Sequence, residues 1–265
     1  MIRILIVLCL VIGGVDAFGE EQNKESTKAK KKKESEKWYG ILGGLSQFYL
    51  KDELGSYLRY EDQTRSIALL SLTQGDSSFS SSFLTFGRGK LYASGTSVNI
   101  VYLQSEEYFY GRYLASYLQN KMKLGIMGGM KLEVYFKEYV HPPIHSQLIF
   151  DMDFGLGFAI VGDYLLKPRH HLRAYTGSSI ISYYVPHSSG IVSIREAAAN
   201  IFNGDLVLWN RFLNFNIGVQ YANRLSSSIQ FYTLYRMDYQ RARRYERTAS
   251  MFAHNLLIGF AYKVK

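Results

Sequence analysis

The chain has 265 residues and a net charge of +9, from 31 Lys and Arg against 22 Asp and Glu. A mean hydropathy of −0.10 excludes a protein built from membrane-spanning helices, each of which needs about 20 mainly apolar residues. With 22 Tyr, 16 Phe and 23 Gly against four Pro, the composition favours β-structure.

Residues 1–17 have the features of a signal peptide. Arg3 supplies the positive charge, an apolar run follows, and Val15 and Ala17 are small residues at positions −3 and −1 of a cleavage site. The apolar run is shorter than the roughly 20 residues of a spanning helix, which disfavours the alternative of an uncleaved anchor. We therefore predict an exported protein. Its mature chain contains no Cys, since Cys9 lies in the leader, and so has no disulfide and no cysteine-based metal site.

Residues 18–37 are predicted to form a disordered periplasmic segment. Residues 24–37 hold seven Lys against three Glu and almost no apolar side chain, a composition that cannot bury surface. An exported protein rarely meets nucleic acid, so we expect a solvated tether in contact with anionic lipid or polymer instead.

Period-2 alternation begins near Trp38 and continues along the chain. In residues 123–137 the even positions are apolar or Gly, while Lys, Glu, Gly and Tyr occupy most of the odd positions; residues 148–162 repeat this pattern. Such long alternating strands are typical of a transmembrane β-barrel, in which every second residue contacts lipid. A soluble sandwich or lipocalin-like barrel is the alternative, but its strands would be shorter. Tyr residues near predicted strand ends are expected in interfacial girdles: Tyr135, Tyr139, Tyr164, Tyr221, Tyr239 and Tyr262.

The fold class predicted for residues 38–265 is all-β, a transmembrane antiparallel up-and-down β-barrel of about ten strands. The predicted strands are residues 38–49, 64–73, 78–89, 107–119, 121–137, 148–162, 170–182, 204–222, 228–240 and 250–264. Even-numbered links are short and odd-numbered links, such as residues 90–106, are longer, which predicts both termini on the periplasmic side. Asn210 and Arg211 are a candidate turn within the eighth strand, so twelve strands is the alternative.

Three stretches resemble segments of uncharacterised outer-membrane β-barrel proteins of the Bacteroidota: residues 52–60, 148–164 and 254–263. The resemblance is one of pattern and extends over most of the mature chain. It implies a location in the outer membrane and brings no established activity with it.

The sharpest candidate for catalysis is the sequence PHSSG at residues 186–190, in a predicted outer loop. Its His187 and Ser189 resemble the His-x-Ser-Asn-Gly element of outer-membrane phospholipases, in which His acts as base to a Ser nucleophile. Gly190 stands where that family has Asn, and the family's Ser lies on a strand. A turn of this composition also forms without any chemistry, and we favour that interpretation.

Asp151 and Asp153 are a second candidate, because they share the lumen face near the outer end of a strand. Paired Asp with an Asp–His pair activates water in the omptin proteases, and His141 and His145 lie nearby in sequence. Two His around Pro142-Pro143 are too few for a zinc site, and no metal is predicted. The favoured interpretation is that the carboxylates neutralise cations inside the barrel. The cations considered are Lys123, Lys131 and Arg173.

Four Arg before the last strand form a predicted basic outer loop: Arg241, Arg243, Arg244 and Arg247. They are candidates for binding lipid phosphates, sulfated glycans or a partner. The favoured alternative is a solvated loop that pairs with Glu246 or with lipid headgroups.

The favoured function is non-enzymatic: a structural or accessory protein, or a narrow pore, integral to the outer membrane and without a cofactor. Mixed charges inside so small a barrel favour a plugged interior over a wide channel. A surface hydrolase, phospholipase-like or omptin-like, is the alternative. Outer-membrane lipids and the barrel-assembly machinery are the expected partners, with other membrane or surface proteins left open.

Overall fold

The computed structural model describes residues 35–53, 56–119, 121–141, 145–185, 204–244 and 247–264. The described strands are β1 (Glu36–Asp52), β2 (Ser56–Gln74), β3 (Ser78–Ala93), β4 (Thr96–Tyr117), β5 (Met122–His141), β6 (His145–Lys167), β7 (His170–Val185), β8 (Asp205–Leu208), β9 (Phe212–Arg224), β10 (Ile229–Arg244) and β11 (Arg247–Val264). Within these residues no helix is long and apolar enough to cross a membrane.

The strands form a closed antiparallel barrel. Sequential strands pair from β1 to β7, β9 pairs with β7 and β10, and β1 pairs with β11 to close the ring. The short β8 pairs with β7 at residues 181–184 and β9 pairs with the same strand at residues 170–178, so the two occupy one position in the wall. The described wall therefore has ten positions, which confirms the predicted up-and-down barrel of ten strands rather than twelve.

The predicted eighth strand is interrupted at the suspected turn. After β8, the Arg211 amide donates to the Leu208 carbonyl at 2.9 Å, and the Trp209 amide donates to Ile180 at 3.2 Å. The chain then rejoins the same neighbour as β9. The turn at Asn210 and Arg211 is thus a local break in one strand, and the count of ten is unchanged.

The two ends of the barrel differ. At the turn end lie Glu36, Val264 and the links β2–β3, β4–β5, β6–β7 and β9–β10; at the hairpin end lie the other links. The prediction of long links at the hairpin end is wrong for four of the five, because β1–β2, β3–β4, β5–β6 and β10–β11 are separated by only two or three residues. In β3–β4 both strands continue through residues 90–106 and turn at residues 94–95. Gly95 has φ +72°, which a two-residue hairpin turn accommodates. The backbone of residues 90–106 forms its hydrogen bonds in the ladder between β3 and β4.

The alternation sorts side chains between two faces, as predicted. Ile126, Phe158 and Ile160 lie on the outer face with about half of their surface exposed, whereas Lys131 and Glu133 are buried in the lumen. The girdle prediction is wrong for Tyr135 and Tyr139, which are also buried in the lumen. Their odd positions put them on the inner face of β5, so alternation, and not nearness to a strand end, decides their place.

The lumen is filled by side chains in three layers. An apolar cluster that includes Phe48, Tyr60 and Ile100 lies toward the hairpin end. Two further clusters, one around Trp38 and Phe83 and one around Phe79 and Tyr175, lie toward the turn end. Polar side chains occupy the middle. Small cavities remain between these side chains, one lined by Tyr108, Lys131 and Asn214 and another by Tyr135, Lys137 and Asp151.

β1 begins at Glu36, two residues before the predicted start of the barrel at Trp38. Glu36 forms ion pairs with Arg224 at 2.5 Å and with Lys263 at 2.9 Å, which join it to the neighbouring strands at the turn end. The predicted signal peptide and nearly all of the Lys-rich segment lie outside the described residues, and those predictions stay open.

Candidate functional site

A polar layer crosses the middle of the lumen, and strand register assembles it. Opposite positions on β4 and β5 bring Gln104 to Glu133 and Glu106 to Lys131. Glu133 lies opposite Asp153 of β6. The layer is completed from the far wall by Asn214, Asn216, Arg236, Asp238 and Asn255.

Arg236 is the centre of this layer, with 1% of its side chain exposed. Its Nε donates to Asp238 Oδ2 at 2.8 Å, and its Nη2 donates to Gln104 Oε1 at 2.5 Å. Its Nη1 donates to Glu106 Oε2 at 3.4 Å, so the guanidinium bridges the lumen from β10 to β4. A buried guanidinium is tolerable only with such partners, because an unpaired charge in a dry interior is costly.

Lys131 extends the network toward β6. Its Nζ lies 3.0 Å from Glu133 Oε1 and 3.5 Å from Asp238 Oδ1, and it donates to Asn214 Oδ1 at 2.8 Å. The Asn214 amide donates in turn to Glu133 Oε2 at 2.7 Å and to Asp153 Oδ2 at 3.2 Å. Hydrogen bonds and ion pairs therefore run continuously across the lumen.

Asp151 and Asp153 both face the lumen, as predicted. Asp151 forms an ion pair with Lys137, which lies on the neighbouring strand β5. Asp153 accepts from Asn214 through Oδ2, while its Oδ1 has no hydrogen-bond partner among the described residues. His141 and His145 end β5 and begin β6, but their side chains lie outside the description.

None of the three predicted cations forms an ion pair with Asp151 or Asp153 among the described residues, but Asp151 does neutralise an internal cation, Lys137. Lys131 pairs with Glu133 and Asp238, while Lys123 donates to the Asp76 carbonyl at 3.0 Å. Arg173 pairs with Asp163. The reason is register, because the residues opposite Asp151 and its strand neighbours belong to the hairpin-end half of β5.

Sequence reasoning missed a second buried ion pair, near the turn end. Arg173 donates through Nε to Asp163 Oδ1 at 2.7 Å and through Nη2 to Oδ2 at 2.8 Å, a bidentate arrangement. The Tyr113 hydroxyl donates to the same carboxylate, and His171 Nε2 lies 3.6 Å from it. The signal was present, because the short β6–β7 turn places Asp163 opposite Arg173 on the lumen face.

The remaining predicted site residues divide into two groups. His187, Ser189 and Gly190 lie outside the described residues, so the phospholipase-like hypothesis stays a prediction. Arg241 and Arg243 are exposed on the outer face of β10, a strand and not the predicted loop, because β10 continues to its own hairpin. Arg244 ends β10 and Arg247 begins β11, without described side chains.

Among the side chains that the structure describes, no group of three or more His, Cys, Asp and Glu is arranged to hold a metal ion. The buried polar layer has more carboxylates than cations. Its two cations, Lys131 and Arg236, each form ion pairs with two carboxylates. Chemically, the layer is suited to fastening opposite walls of the barrel together.

No protein-family model and no curated protein sequence matches the chain. Solved structures of outer-membrane β-barrel proteins are similar to it in fold. The outer-membrane protease OmpT from Escherichia coli aligns at 8% identity and a TM-score of 0.48, over 90% of this chain and 99% of that one. The translocator domain of the autotransporter NalP from Neisseria meningitidis aligns at 9% identity and a TM-score of 0.43, over 98% of this chain and 97% of that one. The toluene transporter TodX from P. putida aligns at 7% identity and a TM-score of 0.33, over 89% of this chain and 90% of that one. Identities this low transfer no activity to this chain.

Proposed function

We propose that the protein is an integral outer-membrane barrel with a closed lumen, and that it acts as a structural or accessory component of that membrane. The observation that carries the proposal is the polar layer, in which Arg236 joins β10 to β4 across the middle of the barrel. Side chains that meet across the axis in this way fill the lumen at this level.

The outer face supports insertion in a membrane. Exposed large apolar side chains occur all round the wall, and soluble monomers rarely expose contiguous apolar patches of more than a few hundred Å². Examples are Ile41, Ile67, Phe86, Ile126, Phe158, Ile180, Val219, Ile258 and Phe260. Exposed Tyr lie toward both ends, Tyr39 and Tyr262 at the turn end and Tyr57 and Tyr92 at the hairpin end, as in interfacial girdles.

The turn end faces the periplasm in this proposal, with both termini, because the longest link of the chain, residues 186–204, lies at the hairpin end and outer-membrane barrels have their long loops on the outer side. The hairpin end then faces the cell exterior. Insertion would require the barrel-assembly machinery as a transient partner, since the strands must be delivered to the membrane before their apolar faces are covered.

The test is electrical recording in planar bilayers, on the full chain whose insertion is first verified by heat-modifiable gel migration. We expect no discrete conductance steps under conditions in which a general porin conducts. Steps of uniform size would overturn the closed lumen and favour the narrow pore. A chain from the soluble fraction that migrates identically before and after boiling would overturn the membrane barrel itself.

A further inference from the structure

Seven exposed cations on β10, β1, β2 and β3 form a basic patch on the outer face, which extends from the middle of β2 to the hairpin end. They are Lys51, Arg59, Arg65, Arg88, Lys90, Arg241 and Arg243. Glu53 and Glu61 are the acidic side chains described beside them, so the patch has a large excess of positive charge. It includes two of the four Arg that the sequence singled out, now joined by cations from strands far away in the chain.

Like charges lie directly opposite one another within the patch. Arg65 of β2 lies opposite Arg88 of β3, and Lys51 of β1 lies opposite Arg59 of β2. Lys51 is compensated by Glu53 at 2.9 Å. Among the described residues Arg65 and Arg88 have no ion-pair partner, although directly opposed like charges destabilise a sheet. An arrangement that repels itself in the isolated barrel is stabilised when an anion lies between the two guanidinium groups.

The basic patch adjoins the apolar part of the outer face. Arg65 and Ile67 are successive outward-facing residues of β2, as are Arg88 and Phe86 of β3, and each such step along a strand is about 7 Å. Ile67 and Phe86 have 59% and 50% of their surface exposed. The cations therefore lie where an apolar surface ends, at the level of lipid headgroups in a membrane-inserted barrel.

Aromatic rings flank the cations on this face. The Arg59 guanidinium lies 5.5 Å from the centre of the Tyr49 ring, and the Lys90 ammonium lies 5.3 Å from that of Tyr92. Tyr and Trp are enriched at membrane interfaces because one part of the side chain is apolar and the other polar. Both contacts also hold long side chains against the wall, which lowers the entropy lost when they bind an anion.

We propose that the basic patch binds the phosphate groups of a phosphorylated glycolipid in the outer leaflet, with Arg65 and Arg88 as its central pair. Arg binds phosphate through two parallel hydrogen bonds, and the apolar surface next to the pair receives the acyl chains of the same molecule. A soluble polyanion would be complementary to the cations alone, so the adjoining apolar surface favours the lipid. The inference rests on the proposed outer-membrane function, with the hairpin end toward the exterior.

The test uses the full chain refolded in neutral detergent and measures the temperature at which the folded gel band converts to the unfolded one. Diphosphoryl lipid A is added, in parallel with dephosphorylated lipid A and with inorganic phosphate. We expect only diphosphoryl lipid A to raise the conversion temperature. In the Arg65→Gln/Arg88→Gln variant we expect the lipid concentration for half the effect to rise about tenfold or more, because two charge-assisted contacts are lost.

The matched control is Lys121→Gln/Lys167→Gln, which removes two exposed cations at the turn end. It is expected to respond to lipid A as the natural chain does. Without lipid, the Arg65→Gln/Arg88→Gln variant should be as stable as the natural chain or slightly more so, because a repulsion is removed. A structural role for the two Arg would instead make the variant less stable without lipid, so this measurement distinguishes a binding role from a structural one.

Several outcomes would overturn the inference while leaving the barrel intact. One is that dephosphorylated lipid A or inorganic phosphate raises the conversion temperature as much as diphosphoryl lipid A does. Another is that the control variant loses as much of the response to diphosphoryl lipid A as the Arg65→Gln/Arg88→Gln variant. If the double variant does not fold, Arg88→Gln alone replaces it in the test, and its loss of binding free energy for diphosphoryl lipid A should be about half that of the double variant. A natural chain that shows no heat-modifiable band would instead contradict the proposed function.

Discussion

Arg236 illustrates how a single residue can organise the interior of this barrel. Its guanidinium has partners on its own strand and on β4, which is separated from it by 130 residues along the chain. Removing one partner of a buried pair is costly because the other charges stay buried without compensation. Glu106 would be left without an ion pair among the described residues, and Asp238 would keep only Lys131, at 3.5 Å.

Arg236→Met is therefore expected to lower the free energy of unfolding by about 3–5 kcal/mol. The measurement is urea unfolding in detergent micelles, followed by the fluorescence of Trp38, which is buried in the natural protein. Arg65→Gln is the control, since it removes an exposed guanidinium, and it should change stability by about 0.5 kcal/mol or less. Equal effects of the two substitutions would show that Arg236 does not hold the lumen together.

The sequence predicts faces at this scale but not partners. Alternation correctly directs Asp151 and Asp153 into the lumen, because neighbouring residues of a strand point to opposite sides. The cation that meets Asp151 depends on which residues of β5 lie opposite it in β6. Alternation predicts the face of a residue but not its neighbour on the next strand. Lys137 was therefore not recognised as the partner.

At the scale of elements, the seam between β1 and β11 depends on glycine. Gly44 lies on the lumen side of β1, and a Cβ added there would overlap the carbonyl oxygen of Leu256 in β11. Its neighbour Gly43 points outward, and an added Cβ there meets nothing within 4 Å. The two positions are adjacent in sequence but opposite in what they tolerate.

Gly44→Ala should lower stability by about 1–3 kcal/mol, as overpacking commonly does, and should reduce the yield of folded band on refolding. The obstruction is backbone, so side-chain movement cannot relieve it. Gly43→Ala is expected to fold as the natural chain or slightly better, because Ala lowers the entropy of the unfolded state. Comparable losses in both variants would mean that the seam tolerates no change at all, for reasons other than the overlap.

Strand positions were predictable and strand ends were not. The alternation located every position of the wall, including the break near Asn210. In residues 90–106 the alternation weakens, and only the ladder between β3 and β4 defines the hairpin. Partners far along the chain decide where a strand stops, so single-sequence boundaries are the least certain part of such a prediction.

At the scale of the whole molecule, the wall is complete from Glu36 to Val264. Glu36 already pairs with two other strands, and Trp38 is buried among the turn-end apolar side chains. The number of strands could be inferred from sequence because the alternating segments could be counted, and an up-and-down barrel returns to its starting side after each hairpin.

A chain that begins at Ser35 is expected to refold with the heat-modifiable migration and thermal transition of the full chain. A chain that begins at Gly40 lacks the Glu36 ion pairs and Trp38, and it should unfold at a temperature several degrees lower, since burying one large side chain contributes about 1.5–3 kcal/mol. Refolding in micelles of both truncations checks this. Failure of the chain from Ser35 would show that the barrel needs the preceding segment.

Closure of the ring by β1 and β11 has a consequence for how the protein is made. The pairing of Lys37 with Val264 joins the first strand of the barrel to the last, so β1 and β10 keep unsatisfied edges until β11 is in place. Exposed edges of this kind template aggregation with other chains. A chain truncated before β11 would thus keep both of these edges exposed permanently, whereas the natural chain exposes them only until the ring closes.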